Sequence, residues 1–98
     1  MKKFVFTYHG SWPTAPTQEM MDAWTNWFGS IADHLVDAGN PLGPGREVTT
    51  TGSQDLTSEM APATGYSIVS ADNMDDAVKL LADCPIIDSV RVYEAMSM

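Results

Sequence analysis

The segment KKFVFTYHG at residues 2–10 alternates aromatic and β-branched side chains with a period of two, and this alternation constrains the fold more than any other feature of the chain. Read as a strand over residues 2 to 9, it sends Phe4, Phe6 and Tyr8 to one face and Val5, Thr7 and His9 to the other. The aromatic face requires cover, and two helical stretches supply it. Thr17 caps the first, with Glu19 in its first turn, and Met20, Trp24, Phe28, Ile31 and Leu35 recur at helical spacing until Gly39 and Pro41 end it. The second lies in SADNMDDAVKLLADCP at residues 70–85, where Asp72 is the expected cap and Met74, Ala77, Val78, Leu81 and Ala82 form the inner face. REVTTT at 46–51 reads as a short strand, GSQDLTSEMAPAT at 52–64 as a polar loop, GYSIVSA at 65–71 as a strand and IIDSVRVYEAM at 86–96 as the closing strand. The resulting order, βαββαβ, predicts an α+β, ferredoxin-like sandwich: a four-stranded antiparallel sheet with both helices on one face, in one domain over residues 1–98.

A chain of 98 residues buries one core and is marginal as a monomer, while 44% apolar residues with three Trp, three Phe, three Tyr and seven Met leave apolar surface for an interface. A homodimer is therefore expected. Five Lys and Arg against 13 Asp and Glu give a net charge of −8, which repels nucleic-acid backbones and anionic lipid. The apolar run after Lys2 and Lys3 is too short and too soon interrupted for a signal peptide, and no run reaches membrane-spanning length, so a cytoplasmic location is expected. The single cysteine, Cys84, stands at the negative end of the second helix beside Asp83 and before Pro85. That setting disfavours the thiolate and predicts an inert, helix-closing residue.

GYSIVSADNMDDAVKLLADCP followed by SVRVYEAM resembles the C-terminal half of the YCII-related (DGPF-domain) family, and the first strand, the Trp-containing first helix and GNPLGPG fit its layout. The resemblance implies a dimeric α+β barrel, in which the uncovered faces of two four-stranded sheets meet. The chain departs from the family in two places. Residues 52–64 contain no Asp-Gly-Pro-Phe, and no histidine stands in the first turn of the first helix, so the acid–base dyad proposed for some members has no counterpart here.

Sorting the strands by polarity predicts that Thr7, His9, Ser67, Ser89, Arg91 and Tyr93 face the barrel side, a mixed surface suited to a small ligand carrying an oxygen or a carboxylate. His9, at a strand end, is the catalytic candidate, with a loop-anchoring role as its alternative. Arg91 either clamps an anion or pairs with a carboxylate of the partner subunit, and Tyr93 follows it. Trp12 is placed at the barrel mouth or the dimer seam, while Trp24, Trp27 and Phe28 are expected against the sheet. His34 and Asp37, three apart on the expected helix, make no metal site without a second pair, and neither metal nor cofactor is predicted. GNPLGPG lacks a phosphate-binding pattern and reads as a helix stop and turn. Two functions remain open: a binder or enzyme for a small organic, lactone-like or anionic molecule in the barrel, or a structural dimer whose polar residues satisfy one another.

Overall fold

The computed structural model describes residues 1–10 and 15–97. The strand β1 (Lys2–His9) is followed by the helix α1 (Gln18–Ser30), the short strand β2 (Leu35–Asp37), a hairpin of β3 (Arg46–Thr49) and β4 (Gly52–Asp55), the long strand β5 (Ala63–Ala71), the helix α2 (Met74–Lys79) and the strand β6 (Ser89–Ala95). The main sheet is four-stranded and antiparallel in the order β2-β5-β1-β6, consistent with a ferredoxin-like arrangement. β1 sits at its centre, paired with β5 through Phe4↔Val69 and Phe6↔Ser67 and with β6 through Phe6↔Val92 and Thr7↔Arg91.

Directly paired residues share a face of the sheet, so this register fixes which side chains meet the helices. Phe4, Phe6, Val69 and Ala71 are buried with Trp27 and Ile31 from the α1 side and Ala77 from α2, and Val90 and Val92 pack against them. Both helices thus cover one face. Thr17 caps α1 as expected, its side chain accepting from the Met20 N–H at 3.2 Å. Trp27 donates its indole N–H to the Leu80 carbonyl at 2.8 Å, which ties α1 to the turn after α2.

Four expectations are corrected. The first helix stops at Ser30, and a 3₁₀ turn (Ala32–His34) leads directly into β2, so Leu35 continues the apolar stripe from a strand. His34 and Asp37 consequently share no helix: the His34 Nδ1 donates to the Ser70 carbonyl, and the Asp37 carboxylate accepts from the Gly39 N–H at 2.8 Å. Residues 46–49 do not enter the main sheet but pair with 52–55, inside the expected loop, to form an exposed hairpin. Lastly, α2 is capped by Asn73, which accepts from the Asp76 N–H at 2.8 Å, and its regular turns end at Lys79. Beyond it the chain tightens into i→i+3 bonds through Leu81, Ala82 and Cys84, leaving Val78 exposed.

The molecule is less compact than its length requires. Its radius of gyration is 14.6 Å, against about 13 Å for a compact chain of this length. The hairpin is held by its own cross-strand contacts, chiefly an Arg46–Asp55 ion pair at 3.0 Å and a 2.9 Å bond from Gln54 to Glu47. Burial therefore separates two classes of site. Phe6→Ala, fully buried at the sheet centre, is expected to destabilise the protein by about 3–5 kcal/mol. Val48→Ala, in the hairpin, should stay within roughly 0.5 kcal/mol. Urea unfolding of both variants is the measurement, and equal losses would contradict this division.

Candidate functional site

The register gathers Thr7, His9, Ser89, Arg91 and Tyr93 on the face away from the helices, where sequence reasoning put them, through the pairs His9↔Ser89, Thr7↔Arg91 and Val5↔Tyr93. Ser67 is corrected to the opposite face. It pairs with Phe6, is fully buried, accepts from the Tyr8 hydroxyl at 2.8 Å and donates to the Ala38 carbonyl at 2.6 Å. A buried hydroxyl is tolerated there because both of its hydrogen-bonding roles are filled. Trp12 lies outside the described residues.

On the open face His9 is only 5% exposed, because the 3₁₀ turn Ser58–Met60 and the left-handed Ala61 (φ 49°) bring a backbone carbonyl onto it. The carbonyl of Ala61 can only accept, so the Nδ1 of His9 donates to it at 2.7 Å, and in that tautomer Nε2 accepts from the Thr7 hydroxyl at 2.9 Å. Both ring nitrogens are thereby engaged within the chain. Arg91 is exposed and, among the described residues, belongs to no ion pair.

A cleft of about 410 Å³ lies elsewhere, beside α1 at the β5 and β1 end of the sheet. Its aromatic wall is built from Tyr8, Trp24 and Phe28. Trp24 stands edge-on to Tyr8 with ring centroids 5.2 Å apart, and Phe28 lies 6.0 Å from Trp24, one helical turn on. The opposite wall is the segment after β2, where Pro41 bridges to Gly65 and the Leu42 N–H donates to the Thr64 carbonyl at 3.0 Å. Gly39 makes the approach possible: its φ is +83°, and a Cβ there would fall 1.7 Å from the Tyr66 carbonyl oxygen. A bulge between Tyr8 and His9 leaves Thr64 as the extra residue of β5, and its hydroxyl donates to the Gly10 carbonyl at 2.8 Å at the edge of the cleft. Sequence reasoning missed this site. Its signals were the Trp24 and Phe28 pair at i, i+4 and the glycine and proline of GNPLGPG, read only as a stop.

Two groups near the cleft have displaced acidities. Burial pushes the Tyr8 phenol up to about 12; its contact with Ser67 works the other way, and the neighbouring Cys84 thiol adds to the rise. Burial alone pushes the Cys84 thiol up to about 12, in keeping with an inert residue. Among the described residues no group of three or more His, Cys, Asp or Glu side chains could hold a metal ion, and no helix is long and apolar enough to cross a membrane.

No family model, no curated protein and no solved structure matches the chain.

Because folding raises both acidities, it favours the protonated Tyr8 and Cys84. Their contribution to stability is complete below pH 9, where the ordinary thiol begins to titrate, and is lost as pH rises towards about 12. Urea midpoints are expected to fall over that window, and the combined substitutions Cys84→Ala and Tyr8→Phe should flatten the fall. Native Cys84 should also react with iodoacetamide at mildly alkaline pH about a hundredfold more slowly than in the unfolded chain. A native thiol that titrates at its ordinary value of 9.0 would contradict this.

Proposed function

We propose that the protein is a homodimer that binds a small organic molecule in the cleft beside α1. The observation that carries the binding reading is the cleft itself: about 410 Å³, within the range of small-molecule sites and walled by Tyr8, Trp24 and Phe28. An apolar cavity of about 150 Å³ suffices for benzene, so this one accommodates a molecule of one or two rings. The ligand is thereby assigned to the helix side of the sheet rather than to the barrel side. In this reading His9 serves as an anchor, since its two nitrogens are committed to Thr7 and Ala61.

The open face is assigned to a second copy of the chain. It presents Val5, Ile68 and a Tyr93 that is 52% exposed, with no helix over them. A solvated antiparallel face would carry a polar set in those positions. The resemblance to YCII-related chains agrees with this arrangement, in which two such faces close a dimeric α+β barrel, and Arg91 then meets an acidic group of the partner subunit.

Each part has its own test. Sedimentation should give twice the 10.7 kDa chain mass at micromolar concentration, and Ile68→Glu with Tyr93→Lys should give the single mass. A well-folded wild-type monomer would remove the dimer and leave the cleft untouched. For the cleft, a panel of small ring compounds should shift the amide resonances of Trp24, Phe28 and Gly65. Ile87→Trp, which fills the rim from a position 36% exposed, should weaken binding about tenfold, or ~1.4 kcal/mol. If no compound of the panel moves those resonances at millimolar concentration, the binding reading fails.

A further inference from the structure

We infer that the cleft selects an uncharged aromatic molecule bearing a hydrogen-bond donor, a ring hydroxyl or ring N–H, over both an organic anion and a donorless ring of the same shape. This rests on the reading of the cleft as a binding site and concerns its chemistry.

The argument follows the protons. The carbonyl of Ala38 can only accept, so the 2.6 Å bond from Ser67 uses the one proton that a serine hydroxyl has. Ser67 therefore takes its 2.8 Å bond from Tyr8 as an acceptor, and the Tyr8 proton is spent in turn. What the Tyr8 oxygen retains is lone pairs. Thr64 is arranged in the same way. Its hydroxyl proton is directed at two carbonyls, that of Gly10 at 2.8 Å and that of Tyr8 at 3.3 Å, and its oxygen also keeps only lone pairs. Two of the cleft's hydroxyl groups can thus receive a proton and cannot give one. A ligand hydroxyl or N–H supplies what they lack, and a ring without a donor leaves them unsatisfied once water is displaced.

The same lining disfavours an anion. Among the described residues no cationic side chain borders the cleft. A carboxylate stands at its Gly10 end instead: a Cβ on Gly10 would lie 2.8 Å from the Asp88 Cγ, and the Asp88 N–H is bonded to the His9 carbonyl at 3.2 Å. The chain as a whole carries a charge of −8. The remaining polar groups are neutral. The Asn40 amide on that wall is itself occupied, donating to the Tyr66 hydroxyl at 3.2 Å. A phenolic hydroxyl supplies the proton that Tyr8 and Thr64 lack, while its ring fits against Trp24 and Phe28.

The test uses four probes of one shape on the full chain: 4-methylphenol, 4-methylanisole, toluene and 4-methylbenzoate, titrated by calorimetry and by amide chemical shifts. The expected order is 4-methylphenol at least tenfold tighter than 4-methylanisole and toluene, with 4-methylbenzoate weakest. Tyr8→Phe should bring 4-methylphenol down towards 4-methylanisole and leave 4-methylanisole itself unchanged. Should 4-methylanisole or toluene bind the wild type as tightly as 4-methylphenol, or 4-methylbenzoate bind tightest, the donor inference is wrong while the cleft stands as a binding site. If none of the four binds, the cleft reading fails with it. The comparison of probes on the wild type decides the matter even if Tyr8→Phe does not fold.

Discussion

The structure depends on the strict alternation of β1. This strand is hydrogen-bonded along both edges, to β5 and to β6, so its two sets of side chains set the character of both faces of the sheet. Phe4 and Phe6 draw α1 and α2 onto one side through Trp27, Ile31 and Ala77. Tyr8 carries the same face to the edge of the buried core, where it is only partly covered. Its ring is held by Trp24 and the core residue Trp27, and its hydroxyl by Ser67. The cleft begins where this aromatic face outruns the helices that cover it.

Those parts of the fold with a one-sided burial pattern were legible in the residues. β1, β5 and β6 each alternate, and the start of α1 is written in Thr17. The parts that could not be read lack such a pattern. β2 is three residues long, and Leu35 falls where a continued helix would also have placed an apolar side chain, so the change from helix to strand leaves no trace in spacing. β3 was readable as a strand from its β-branched residues, but its partner was not: β4 is exposed on both faces and carries no hydrophobic period for a sequence argument to find. The two caps at α2 differ by one residue, and Asn73 in place of Asp72 follows from backbone geometry that both residue types allow.

Ser67 shows where polarity alone misleads. Sorted by side-chain character, it belongs with Thr7 and Ser89; sorted by register, it belongs with Phe6. Register prevails because strand pairing fixes a face for every residue at once, and a single buried hydroxyl costs little when Tyr8 and Ala38 satisfy it. The candidate site was legible to the same degree. The grouping of Thr7, His9, Ser89, Arg91 and Tyr93 follows from alternation within β1 and β6. The cleft depends on the left-handed Gly39 and the bulge at Thr64, which bring residues from β1, α1, the segment after β2 and β5 to one place, and no spacing along the chain encodes that meeting.

The two faces therefore differ in what they have left to satisfy. On the open face the polar groups nearest the sheet centre are already closed on one another: Thr7 gives its proton to His9, and His9 gives its own to the chain at Ala61. What that face still exposes is mixed, with Lys3, Ser89 and Arg91 beside Tyr93. On the helix side the order is reversed. The apolar wall of the cleft is small and concave, and the groups left incomplete are individual oxygens at Tyr8 and Thr64 whose protons are spent inward. A central strand with its aromatic residues in one register and its polar residues in the other thus gives a chain of 98 residues two faces of different chemical character.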